Sequence, residues 1–334
     1  MRVHIIGAGV AGLTAALAFA ERGCEVELTE RETGPGLGCS RFAGGMLAPW
    51  CEAEASEEII LTLGRESLKF WFETVPGVEI KGTLVVASSR DRPELDRFAR
   101  RATGYERAGA ERIAALEPDL AGRFEEALYF PGEGHLEPRK ALDSLARRLA
   151  ACQNVTIRFG AESLSSRADW TVDCRGLAAR GALPDLRGVK GEMLVLATRE
   201  VSLSRPVRLL HPRFPIYIVP RGDGRFMAGA TMIENEEAGR ITARSMLELL
   251  GAAYALHPAF AEAEVVETGC GVRPAFPDNL PKIRCQGRTL YINGLYRHGF
   301  LAAPALARRA VQYALEGAYF PEVMDAYHGK RRSA

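Results

Sequence analysis

At 334 residues, 47% hydrophobic and 25% charged, the chain is long enough for two domains or for one large domain with an inserted lobe. Forty-three basic against 42 acidic side chains leave a net charge near +1, so no bulk field favours nucleic acid or a membrane surface. The seven cysteines are odd in number without C-x-x-C spacing, and no apolar run reaches about 18 residues; a zinc site and a membrane span are not expected, and a reduced, cytoplasmic protein is the simplest reading.

Residues 3–6 form a short, β-branched apolar run, as a buried parallel strand requires. It leads straight into Gly7-Ala8-Gly9-Val10-Ala11-Gly12, then a helical run to Glu21, Gly23 as a stop, and a second strand over 25–29 ending at Glu30. Gly7 permits the tight turn, Gly9 lets the backbone approach a pyrophosphate, and Gly12 lets the helix pack closely on the strands. The helix start offers unpaired N–H groups and a positive dipole end to phosphates. Glu30, eighteen residues after Gly12, is placed to accept hydrogen bonds from ribose hydroxyls. A G-x-G-x-x-G alone is a weak sign; strand, turn, helix, strand and acid together point to dinucleotide binding rather than a plain glycine-rich turn. Nothing about this N-terminus resembles a signal peptide.

A glycine-rich loop follows over 33–40, then Arg41-Phe42-Ala43-Gly44-Gly45-Met46-Leu47-Ala48-Pro49, small enough to run along a flat cofactor. A helix is predicted over 56–72 from the spacing of Ile59, Leu63, Leu68 and Phe72. Further along come a strand over 82–87, charged helices over 92–102 and 109–116, a strand over 127–130 and a helix over 138–151. Short strands at 155–158 and 170–173 lead into Cys174-Arg175-Gly176 and return the chain to the nucleotide domain. Strands at 192–197, 207–210, 216–220 and 225–229, with Gly222-Asp223-Gly224 as a turn, predict an antiparallel sheet with a hairpin. A helix over 242–256, strands over 263–273 and 289–293 and a final helix over 299–316 complete the pattern. The fold class is mixed α/β: a Rossmann-like domain from 1–75, 130–185 and 265–334, with an inserted antiparallel-sheet substrate lobe from 76–129 and 186–264. The basic end, Lys330-Arg331-Arg332, reads as a solvated tail.

With these segments placed, the chain resembles the D-amino-acid oxidase superfamily of flavoproteins, and within it the glycine oxidases of thiamine biosynthesis. The likeness runs over most of the chain: the N-terminal fingerprint, Gly-Gly-Met-Leu-Ala (44–48), Phe-Pro-Gly-Glu-Gly-His-Leu-Glu-Pro (130–138) and Val-Lys-Gly-Glu (189–192), then Tyr-Ile-Val-Pro-Arg (217–221), Gly-Ala-Thr-Met (229–232), Gly-Val-Arg-Pro (271–274) and Gly-Leu-Tyr-Arg-His-Gly-Phe-Leu-Ala-Ala-Pro (294–304). The resemblance implies non-covalent FAD. Gly7, Gly9, Val10, Ala11 and Gly12 would hold the pyrophosphate turn, with Glu30 and Arg31 at the adenosine ribose and a further adenosine contact near 161–163. Cys39 and Ser40 fall where the family loop touches the phosphates, the cysteine being a departure from its usual Thr or Arg. Gly44, Gly45 and Met46 would run along the isoalloxazine ring. Gly176 would close the return turn. Leu295, Tyr296, Arg297, His298, Gly299, Phe300 and Leu301 would wrap the pyrimidine end, where the last helix aims its positive end at the reduced ring.

For the substrate, the resemblance makes Arg273 the carboxylate ligand, a guanidinium fork gripping bidentately. Arg297 would assist, Tyr217 would donate its hydroxyl, and Met46 and Met232 would line a small pocket; packed core residues are the plainer reading of the tyrosine and methionines, and a surface ion pair that of Arg273. No histidine is assigned a catalytic role and no metal is expected. His298 replaces a frequent Asn and either tunes the flavin or caps the helix. The reaction implied is oxidation of glycine to iminoacetate, then glyoxylate and ammonia, with dioxygen giving hydrogen peroxide; the alternatives are a broader D-amino-acid or sarcosine oxidase or dehydrogenase, and a non-catalytic dinucleotide-binding regulator. Homo-oligomers are common in the family, although the segment between the strands near 157 and 172 is trimmed here.

Overall fold

The computed structural model describes residues 1–162 and 168–325, so Ser163 of the expected adenosine contact and the basic tail lie outside the described residues. Strand Arg2–Ile6 occupies the middle of a six-stranded sheet, parallel to Glu25–Glu30 on one side and Trp170–Asp173 on the other. Val155–Phe159 closes one edge; Thr289–Asn293 and then Lys282–Gln286 form the other, the last one antiparallel. Helix Val10–Glu21 is buried almost throughout because its small residues fit between this sheet and helices Pro138–Ala150 and Gly299–Glu316. Gly12 is required there: a Cβ would stand 1.7 Å from the Gly7 carbonyl oxygen.

Helix Gly299–Glu316 carries Pro304 in its interior, which removes the N–H that would bond the Phe300 carbonyl. Trp71 Nε1, on helix Glu58–Thr74, donates to that carbonyl instead at 2.6 Å. A potential break is thereby turned into a cross-link between the two helices. Gly317, with φ of 72°, ends the helix in the left-handed region.

The second sheet has eight strands in the order Glu264–Ala275, Arg187–Ala197, Arg225–Gly229, Ile216–Gly222, Val207–Leu210, Thr83–Ala87, Glu126–Phe130, Glu106–Gly109. Every pairing is antiparallel except Val207–Leu210 with Thr83–Ala87. The anticipated hairpin turns at Gly222, Asp223 and Gly224, all at positive φ. Helix Ala243–Leu256 covers one face with Leu249, Ala253 and Leu256, and Arg92–Ala99 covers the other with Leu95 and Phe98. Among the described residues no helix is long and apolar enough to cross a membrane.

Several elements depart from the sequence reading. Strand Arg187–Ala197 starts five residues before the predicted 192, because Glu264–Ala275 pairs along its whole length. Lys282–Gln286, Glu106–Gly109 and the two-residue pair Met46–Leu47 with Gly134–His135 were not anticipated. The expected return to the nucleotide-binding part at 265 falls inside Glu264–Ala275, whose ladder belongs to the larger sheet.

Candidate active site

Two helix N-termini open into one cavity of about 520 Å³. At the first, Gly9 stands as N-cap with no side-chain cap and no acid in the first turn; Val10 N–H donates to Ser40 Oγ at 3.2 Å. At the second, His298 occupies the N-cap position of Gly299–Glu316, again with no side-chain cap and no acid in the first turn. Two uncapped positive dipole ends in one space suit a long ligand with a pyrophosphate at one end and an electron-rich ring at the other. Gly44 and Gly45 form part of the wall, and their lack of a Cβ is structural: one on Gly44 would meet Tyr217 Cε2 at 2.7 Å, one on Gly45 the Leu136 carbonyl oxygen at 2.2 Å.

Of the residues singled out from sequence, Gly9, Val10, Ala11, Cys39, Ser40, Gly44, Gly45, Met46 and Gly176 line this cavity, as do all seven from Leu295 to Leu301. Tyr217, Met232 and Arg273 line it too, so the expected substrate residues are brought together. Four stand apart from it. Gly7 and Gly12 shape the turn beneath the wall. Glu30 accepts from Ala8 N–H (2.7 Å) and Glu32 N–H (3.0 Å), bracing the turn from below. Arg31 is exposed and pairs with Glu32 at 3.3 Å.

On the same cavity wall, the Arg273 guanidinium lies over Gly191, where a Cβ would be 2.1 Å from Nη2, and Nη1 donates to the Thr231 carbonyl at 3.1 Å. Its direction is thus held by a neighbouring strand's missing side chain and by one backbone bond. Met232 is 53% exposed and meets Tyr296 Oη at 3.3 Å and Arg297 Nη1 at 3.8 Å through sulfur, which excludes the core-packing reading for it. Burial pushes the Tyr217 hydroxyl up, against the opposing pull of Arg273, so it stays a donor at neutral pH.

The sequence reading missed Glu52, at the end of the four-residue helix Pro49–Glu52. Its Oε2 lies 2.9 Å from Arg297 Nη2 and 3.5 Å from His298 Nδ1. Burial would raise this carboxyl, but the guanidinium groups of Arg297 and Arg208 outweigh it and hold it below the usual range, so Glu52 is ionised. Burial pulls His298 down to about 4, leaving it neutral, with Nε2 3.3 Å from Ser56 Oγ. Of the two roles weighed for His298, the side chain does not cap its helix. Arg221 was also passed over: Nη1 donates to the Leu136 carbonyl (2.8 Å) and Nη2 to those of Ala43 (3.1 Å) and Gly44 (2.9 Å), clamping the glycine wall from behind.

Residues 2–313 match the family of FAD-dependent oxidoreductases that takes its name from D-amino-acid oxidase (DAO). The chain belongs to this family. A Rhizobium etli protein with the provisional name thiamine biosynthesis oxidoreductase ThiO is 58% identical over 96% of this chain and 99% of its own length. The glycine oxidase of Geobacillus kaustophilus is 29% identical over 90% of this chain and 89% of its own. The crystal structure of a glycine oxidase from that organism superimposes with a TM-score of 0.81, at 23% identity, over 98% of this chain and 100% of the other, which shows the shared fold. As a member of a FAD-dependent family, the protein is an oxidoreductase, and the cavity fits its cofactor. The Val10–Glu21 terminus and Ser40 suit the pyrophosphate, and the glycine wall and the Gly299 helix end suit the flavin ring.

Proposed function

We propose that the protein oxidises glycine to iminoacetate, which hydrolyses to glyoxylate and ammonia, with dioxygen reduced to hydrogen peroxide, and that it serves thiazole formation in thiamine biosynthesis. The names of the similar proteins support this reading. The observation that carries it is Arg273, a cation braced by the Thr231 carbonyl and laid across Gly191 in a cavity between two helix N-termini. Bound FAD supplies the two-electron chemistry and the reaction with dioxygen. The chain's own task is positioning. Arg273 takes the substrate carboxylate through its planar fork, Tyr217 adds a hydroxyl donor, and Met46 and Met232 supply apolar surface at the Cα.

Arg273→Ala is expected to raise the glycine KM at least tenfold, consistent with losing a charged hydrogen bond of about 1.5–3 kcal/mol. An unchanged KM removes Arg273 from the substrate site. The reaction itself is read from the flavin absorbance: anaerobic glycine bleaches it, and air restores it with release of peroxide. The exposed Met232 leaves one side of the pocket open, which favours as second reading a wider small D-amino-acid or sarcosine oxidase. Bleaching by sarcosine or D-alanine but hardly by glycine decides for it.

A further inference from the structure

The charge pairing of Glu52 is one-sided. Both neighbours, Arg297 Nη2 at 2.9 Å and His298 Nδ1 at 3.5 Å, approach the same oxygen, Oε2, and that atom is sealed from solvent. The Arg297 contact is an ion pair, whereas His298, neutral once burial has pulled it down to about 4, adds no charge to it. Oε1 receives no hydrogen bond from the described residues, and the side chain keeps 21% exposure while lining the cavity. The cavity therefore presents a carboxylate oxygen with open lone pairs and, from strand Glu264–Ala275, the guanidinium of Arg273. Oε1 faces the cavity with no donor among the described residues, so a ligand donor finds an ionised acceptor there free to receive it.

An amino acid carries opposite charges on adjacent atoms of its Cα: a carboxylate and an ammonium group. We propose that Glu52 Oε1 accepts a hydrogen bond from the substrate's ammonium group while Arg273 holds the carboxylate, so the site selects the zwitterion and not the carboxylate alone. This rests on the amino-acid-oxidising reading given above. Arg297, whose charge is spent on Glu52, is then the positioning partner of that carboxylate more than a second clamp on the substrate. Arg208 stands behind the pair, 3.8 Å from Glu54, and completes the local charge balance.

The rival role for Glu52 is to neutralise Arg297 and nothing more. Glycine and acetate separate the two, since acetate has the same carboxylate and no ammonium. In the holoenzyme, the glycine concentration that half-saturates anaerobic flavin reduction is compared with the inhibition constant of acetate, in wild type and in Glu52→Gln. The expected result is at least a tenfold weakening for glycine, with acetate bound as tightly or more tightly because Arg297 loses its counter-charge. Equal changes for both ligands overturn the proposal. Acetate binding also reports that the variant is folded; should Glu52→Gln fail to hold flavin, Glu52→Asp keeps the negative charge and draws it back by one methylene, and the same glycine-selective loss is required of it. A wild-type flavin that no small amino acid reduces overturns the functional reading itself, and this proposal with it.

Discussion

A single guanidinium can do structural work that its motif does not announce: Arg221 lies in Tyr-Ile-Val-Pro-Arg (217–221), which says nothing of its partners. Arg221 spends its donors on three backbone carbonyls behind the glycine wall of the cavity, and burial pulls it down to about 10, still cationic at neutral pH. Removing it strands the Ala43, Gly44 and Leu136 carbonyls at a buried wall. Arg221→Met should therefore purify with a lower ratio of flavin to protein absorbance than wild type; an unchanged ratio would show that the wall holds without its clamp. That Arg273, Tyr217 and Met46 meet at one cavity was legible because each sits inside a short motif of the resemblance. Glu52 was not. It ends a one-turn helix with no motif around it, and its meaning comes from Arg297 and His298, some 245 residues further on. Tertiary proximity of that kind leaves no periodicity to read.

At the scale of elements, the strand pair Arg187–Ala197 and Glu264–Ala275 makes the substrate end possible. Gly191 pairs opposite Gly271, two residues from Arg273 along the same face of the ladder, and its bare Cα gives the guanidinium room to lie flat. Gly191→Ala is expected to displace Arg273 and raise the KM of carboxylate substrates severalfold while flavin content stays at the wild-type level. Loss of flavin together with affinity would instead indicate that the strand itself had moved. The long elements were readable: the nucleotide-binding βαβ, the hairpin at Gly222-Asp223-Gly224 and the terminal helix with its glycine stop all follow local rules. Lys282–Gln286 could have been found, since Pro281 and Gly287 bracket an alternating Lys-Ile-Arg-Cys-Gln. Met46–Leu47 could not. A two-residue strand exists only through its partner, Gly134–His135.

Over the whole molecule, buried titratable groups set how stability responds to pH. Burial pulls His135 and His298 down to about 4 and pushes the Glu133 carboxyl up to about 8. Each histidine contributes stability in full above its unfolded value near 6.5, and that contribution is lost as pH falls towards 4. Glu133 has the opposite sign: its contribution is complete below the ordinary carboxyl value near 4.5 and is lost as pH rises towards 8. Between pH 6.5 and 4.5 the two histidines act against the one carboxyl. His135→Gln is expected to flatten the fall in Tm over that range, the wild-type-minus-variant stability difference changing by about 1.4 kcal/mol per pH unit. A difference that does not move with pH would show that His135 ionises freely in the fold. The order of the six-stranded sheet has one more consequence. Its central strand is Arg2–Ile6, yet the neighbour on one side arrives only at residue 170 and the strand beyond that at 289, and the second of the two helices that pack on Val10–Glu21 begins only at Gly299. On the ribosome, the nucleotide fingerprint leaves the tunnel long before the partners that complete its pocket. Until then its apolar helix is only partly covered, so capture of the cofactor must be a late, near-final event in the protein's biogenesis.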